Sequence, residues 1–162
     1  MGPGRPVGVE AAAPKHTMWR MPPTSGAVHT LVLYRAGARA DEALRRLCVA
    51  ARERGSGITV LAVAAQERPS SRCCDMRSVL WNQVCRELAR DDLMRAAQAV
   101  DGQTRVDLDV LVAPGRQVVS TLTREALARG ADEIVLVDPP RSGLGRLERR
   151  RLRWRSPVPV SA

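Results

Sequence analysis

The sequence predicts an α/β protein: a doubly wound, five-stranded parallel sheet in a three-layer α/β/α arrangement. Three observations predict it. Short apolar runs rich in Val, Leu and Ile alternate with longer stretches of helical period. Their order is β-α-β-α-β-α-β, then a basic loop or short helix and a weak last strand. The connections are short, which suits parallel strands joined by crossover helices. At 162 residues the chain is one domain long and can bury a core without disulfides or metals.

Taken in order, residues 1–27 are Gly/Pro/Ala-rich, with Pro3, Pro6, Pro14, Pro22 and Pro23. Such a segment buries too little to order itself and is expected to be a disordered tail. Met18 and Met21 are alternative starts to Met1. The domain is expected over 28–162. Thr30 to Tyr34 is a buried strand, followed by a turn at Ala36-Gly37-Ala38. Asp41 to Arg54 is a helix, with Leu44, Leu47, Cys48 and Ala51 at i, i+3, i+4, i+7, stopped by Gly55 and Gly57. Ile58 to Val63 is the second strand, followed by a polar loop over 66–75. Met76 to Val100 is a long helix with Leu80, Val84 and Leu88 as one stripe; Asp91-Asp92 marks a break or a solvated turn. Val106 to Val112 is the third strand, alternating at first, so that one end faces solvent. Gln117 to Arg129 is a helix with Val118, Val119, Leu122 and Ala126 inward, closed by Gly130. Glu133 to Val137 is the fourth strand, ended by Pro139-Pro140. Pro157 to Val160 fits only an edge strand.

Composition excludes several classes. No apolar run reaches the length of a membrane span, and collagen, coiled coil and a disulfide scaffold do not fit. The first 28 residues hold no continuous apolar stretch of the secretory kind, so a cytoplasmic location is expected. With three Trp, one Tyr and no Phe, the core is aliphatic. The basic residues are 25 Arg and one Lys, a usage that fits a bacterial genome of high G+C content. Seven of those Arg lie between Arg141 and Arg155 with one acid, Glu148, so six of the nine net positive charges sit there. A run of this kind serves a phosphate, nucleic-acid or acidic-partner site, or is a solvated loop. The cysteines Cys48, Cys73, Cys74 and Cys85 form no C-x-x-C; Cys48 belongs to a core face, and Cys73-Cys74 is a vicinal pair in a polar loop. His16 and His29 have no partner spacing.

Several stretches, in order and spacing, resemble the universal stress protein family over residues 29–160. Thr30 to Leu44 resembles its opening strand, turn and helix. Val112-Ala-Pro-Gly115 with Val119, Leu122 and Ala126 resembles its third strand and following helix. Ala131-Asp132-Glu-Ile-Val-Leu136 resembles the stretch before its nucleotide loop, Arg141-Ser-Gly-Leu144 a segment inside that loop, and Ser156-Pro-Val-Pro-Val160 its closing strand. The resemblance implies a universal-stress-protein-like fold, a homodimer formed through the last strand, and ATP as the ligand of many members. It also implies an Asp after the first strand and a glycine loop after the fourth, whose backbone N–H groups approach the phosphates. Here Arg35 stands at the Asp position, Val137 and Pro140 at the first two loop glycines, and the Arg149-Arg150-Arg151 region at the last Gly-Ser. Gly143 and Gly145 are the glycines left in that loop.

The function expected from these residues is a non-catalytic regulatory domain that binds a nucleotide or other anionic ligand at the carboxyl edge of the sheet. Its ligand-binding candidates are Arg35, Gly37, Gly115, Arg141, Ser142, Gly143, Gly145 and Arg146. Arg141 and Arg146 would hold the anion by charge and bidentate hydrogen bonds. The alternative is a nucleic-acid or acidic-protein binder, a polyanion site made by Arg149, Arg150, Arg151, Arg153 and Arg155. An adenine-nucleotide hydrolase of related fold would need S-G-G-x-D or H-x-x-H text between Tyr34 and Asp41, and neither is there.

Overall fold

The structure, a computed structural model, describes residues 28–67, 76–100, 106–138 and 144–162. The tail 1–27, the Cys73-Cys74 pair, His16 and Pro139 to Gly143 lie outside the described residues. The elements are β1 (His29–Leu33), α1 (Ala38–Arg54), β2 (Gly57–Gln66), α2 (Met76–Ala99), β3 (Val106–Pro114), a 3-10 turn (Gly115–Gln117), α3 (Val118–Ala128), β4 (Glu133–Leu136), α4 (Arg146–Arg155) and β5 (Val160–Ser161). All strand pairs are parallel, in the order β3-β2-β1-β4-β5. The doubly wound sheet is therefore the one predicted.

Alternation along the strands divides the core between the two faces. Leu31, Leu33 and Leu61 join Leu122, Ala126, Ile134, Leu136 and Leu152 under α3 and α4. Val32, Tyr34, Ile58 and Val60 join Leu44, Cys48, Ala96 and Ala99 under α1 and α2. Gly55 and Gly130 take left-handed φ of 66° and 62°, so they end α1 and α3 where a Cβ would be strained. Gly57 does not stop a helix; it opens β2 opposite His29. At the amino edge His29 ties three elements together. Its backbone N–H donates to Asp132 Oδ2 at 2.7 Å, while its ring nitrogens lie 2.9 Å from Thr59 Oγ1 and 3.1 Å from the Arg129 carbonyl. The histidine thus finds partners that spacing did not show.

Two departures from the expected elements matter for function. First, β2 and β3 run on past β1. Leu33 pairs with Leu61, yet the β2–β3 ladder continues to Gln66 opposite Pro114. The two strands form an arm beyond the rest of the sheet, and the amino-terminal half of α2 packs on it. Second, the Leu80, Val84, Leu88 stripe of α2 is exposed. The helix meets the sheet with Ala89, Ala96 and Ala99, and Ala89 packs on Ala62 and Ala64 of β2. Small side chains on both partners bring the helix close, leaving no room for leucines between them. Asp91-Asp92 does not break α2, which is continuous from Met76 to Ala99.

Candidate functional site at the carboxyl edge of the sheet

The order of the parallel strands reverses between β1 and β4. From β1 the chain passes to α1 on one face, and from β4 toward α4 on the other. Open α/β sheets bind ligands in the crevice this reversal leaves beyond the strand ends. One lip is Tyr34 to Gly37. The other is Val137 and Asp138, and beyond the loop Leu144 to Arg146. The ladder reaches both, with Tyr34 N–H donating to the Leu61 carbonyl at 2.9 Å and Val137 N–H to the Leu33 carbonyl at 3.2 Å.

The first lip is pinned from below. Tyr34 is buried, and a buried phenol needs a partner for its hydroxyl. It donates to Asp41 in the first turn of α1. Arg95 of α2 reaches the other Asp41 oxygen with Nε and Nη2, both at 3.0 Å. One turn away, Asp92 accepts the Ala36 N–H at 2.9 Å. Burial, aided by the Asp41 contact, pushes the Tyr34 hydroxyl well above its usual range. Burial opposes ionisation of Asp41, but hydrogen bonds from Tyr34 and Arg95 prevail and hold its carboxyl below the usual range. Burial raises Asp92, with only partial relief from the Ala36 bond and the nearby Arg35 charge. The network is structural: it fixes the β1–α1 turn. Sequence reasoning missed it, although a lone Tyr at a strand end with an Asp seven residues on was a usable signal.

Among the candidates, Arg35 is exposed on this lip, and Gly37 caps α1 with extended backbone that any residue adopts. The second lip opens with Asp138 at φ 49°, the one non-glycine with positive φ among the described residues. Arg141, Ser142 and Gly143 lie outside the described residues. Gly145 is not a left-handed loop glycine. It caps α4 at φ −63°, and its N–H donates to Glu148 Oε2 at 2.8 Å. The helix terminus that would attract a phosphate thus already holds a carboxylate. Arg146 is exposed on the first turn of α4. Gly115 is not brought to the crevice. It follows β3, two strands from β1, and the arm carries its neighbour Pro114 five residues past the β1 end, roughly 16 Å at the usual strand rise.

The basic segment forms a helix from Arg146 onward, anchored by buried Leu152. Arg149 donates Nη1 to the Leu144 carbonyl at 2.9 Å, so it secures the start of its own helix. Arg150 lies over the Trp154 ring, 4.6 Å from its centroid. Arg146, Arg151, Arg153 and Arg155 are exposed, as are Leu147 and Trp154. Asp109, by contrast, pairs with Arg129 toward the amino side and takes no part in the crevice.

No family model matches the sequence, and no curated protein matches it. Solved structures do resemble its fold. A universal stress family protein from Burkholderia pseudomallei gives a TM-score of 0.65 at 18% identity, over 86% of this chain and 98% of its own. A universal stress protein from Lactobacillus plantarum gives 0.61 at 15% identity, over 83% and 96%. One from Archaeoglobus fulgidus, solved in complex with dAMP, gives 0.57 at 18% identity, over 83% and 95%. These likenesses are of fold: the chain has the universal stress protein fold.

Proposed function

We propose that the chain is a non-catalytic regulatory domain, a divergent relative of the universal stress proteins, that binds an anionic ligand of the nucleotide class in the β1–β4 crevice. One observation carries the reading. Arg35 and Arg146 stand exposed on the two lips of a doubly wound sheet's switch point, and no ion pair engages either among the described residues. The dAMP complex of the Archaeoglobus protein supports the ligand class. Arginine forks replace a glycine cradle in this reading, because Pro140 has no N–H to offer and Gly145 caps a helix. Tyr34 and Asp41 are engaged with each other beneath the first lip. A cytoplasmic site of action belongs to the same reading, and no described helix is long and apolar enough to cross a membrane.

The test is calorimetric titration of the full chain with Mg-ATP and with AMP, at low and moderate salt, beside a single-stranded polynucleotide. Saturable one-to-one nucleotide binding that survives moderate salt is expected, weakened about tenfold by Arg35→Ala or Arg146→Ala, the loss of one charge-assisted contact. Absence of nucleotide heat at both salts refutes the reading.

A second reading has its own observation. Arg146, Arg150 and Arg153 fall at i, i+4, i+7 on α4, beside Trp154 at 75% and Leu147 at 70% exposure. A guanidinium stripe next to an open indole suits a polyanion, by charge and by stacking. Binding of that kind weakens steeply with salt.

A further inference from the structure

We propose that a second copy of this chain docks on the exposed face of α2, the two helices lying antiparallel about a two-fold axis through Val84. The face is apolar and open. Leu80 is 56% exposed, Trp81 51%, Val84 44% and Leu88 55%. Leu80, Trp81 and Val84, with Arg77 and Glu67, border a shallow hollow of about 600 Å³. Contiguous apolar surface of this kind on a folded domain marks an interaction site.

The pattern of the face selects the partner. In a two-fold antiparallel pair, the residue k places before the axis meets the residue k places after it, and each contact occurs twice. About Val84, Leu80 then meets Leu88, and Arg77 meets Asp91. Val84 meets its own copy, and Trp81 lies against the Glu87 stem. Arg77, Val84 and Asp91 recur at seven-residue spacing, so they stay on one stripe over about 21 Å of helix. Arg77 and Asp91 are both exposed, and no ion pair engages either among the described residues. Their opposite charges at opposite ends make the stripe complementary to its own reverse. A parallel pairing would instead set Arg77 against Arg77 and Asp91 against Asp91.

The surroundings admit such a pair. Among the described residues, Asn82 and Ala89 tie α2 to the β2–β3 arm, and α1 meets α2 farther along, where Arg95 holds Asp41. Among the described residues, two arms can therefore lie side by side with each body beyond the other's tip. The β5 edge offers little by comparison, with two strand residues and Pro157 and Pro159 just before them. This inference does not depend on the nucleotide reading.

The test is sedimentation velocity of the full chain over a wide concentration series, with three surface variants. The wild type is expected to show a monomer–dimer equilibrium. Arg77→Asp puts four acids at the two contacts, and Asp91→Arg puts four arginines there. Each variant alone should weaken self-association at least about tenfold, since symmetry doubles every substitution. Mixed one to one, the two are complementary at both contacts and should restore dimers of wild-type affinity. Val84→Arg sets two like charges on the axis and should abolish pairing in any background. Circular dichroism melts verify that each variant is folded. A monomeric wild type at all concentrations overturns the proposal. So does a dimer that the single variants leave unmoved, which would use another surface, or a mixture that fails to recover.

Discussion

Helices α2 and α3 carry the same kind of apolar stripe and use it in opposite ways. In α3, Val118, Leu122 and Ala126 face the sheet and are buried. In α2, Leu80, Val84 and Leu88 face away, and the sheet is met by Ala89, Ala96 and Ala99. Periodicity reports that a helix has an apolar face, not which surface covers it. The partner strands decide that. Opposite α3, Leu31, Leu33 and Leu61 offer a bulky core to interleave with. Opposite the middle of α2, Ala62 and Ala64 offer a shallow surface onto which small Ala89 settles.

The sharpest contrast comes from truncation. Leu122→Ala should cost about 2–5 kcal/mol, because its site cannot collapse around the lost atoms. The urea midpoint measures this, with an unchanged slope showing that only stability moved.

Next in size is the pin beneath the β1–α1 turn. Asp41→Ala should cost about 1–3 kcal/mol, since it leaves the buried Tyr34 hydroxyl without its acceptor. The pH dependence has a definite sign. Asp41 titrates below its ordinary 3.8 in the folded protein, so its contribution is complete above that value. It is lost as pH falls through the folded value, and the gap between wild type and Asp41→Asn should close in acid. Asp92 has the opposite sign. Its folded value lies above 3.8, so stability declines as pH rises between the two. Asp92→Asn keeps an acceptor for Ala36 and should be no less stable than wild type at neutral pH, in chemical denaturation.

Smaller still is Asp138→Gly. It relieves a left-handed backbone at φ 49° and should gain up to about 1 kcal/mol in a thermal melt. The smallest effect should come from Leu88→Ala, within about 0.5 kcal/mol when measured on dilute monomer. A loss as large as that of Leu122→Ala would mean the α2 face is covered within the single chain, and the comparison would fail.

Most of the fold was legible because burial and sequence period coincide in it. The runs from Thr30, Ile58 and Glu133 are central strands with both faces covered, and such strands read as continuous apolar text. Gly55 and Gly130 ended helices where a left-handed residue was needed. Alternation of strands and helices with short connections likewise pointed to the parallel sheet. The site was less legible, because its parts are separated in sequence. Asp41 meets Arg95 across 54 residues, and Ala36 meets Asp92 across 56. A run of arginines likewise concealed different roles: Arg149 secures a helix start, Arg150 covers an indole, and Arg146 stands open. Gly145 looked like loop text and is a cap, because Glu148 three residues on closes the turn upon it.

That closure sets the terms on which any anion meets α4. Glu148 is a competitor carried by the protein itself. Its tether fixes it beside the helix terminus at an effective concentration of about millimolar or more, independent of dilution. A phosphate that uses those N–H groups must first displace it, so its apparent affinity is the intrinsic one multiplied by the fraction of time the cap stands open. On the proposed function the crevice would thereby be graded: weak anions would leave the cap closed, and a ligand with a second hold elsewhere would open it.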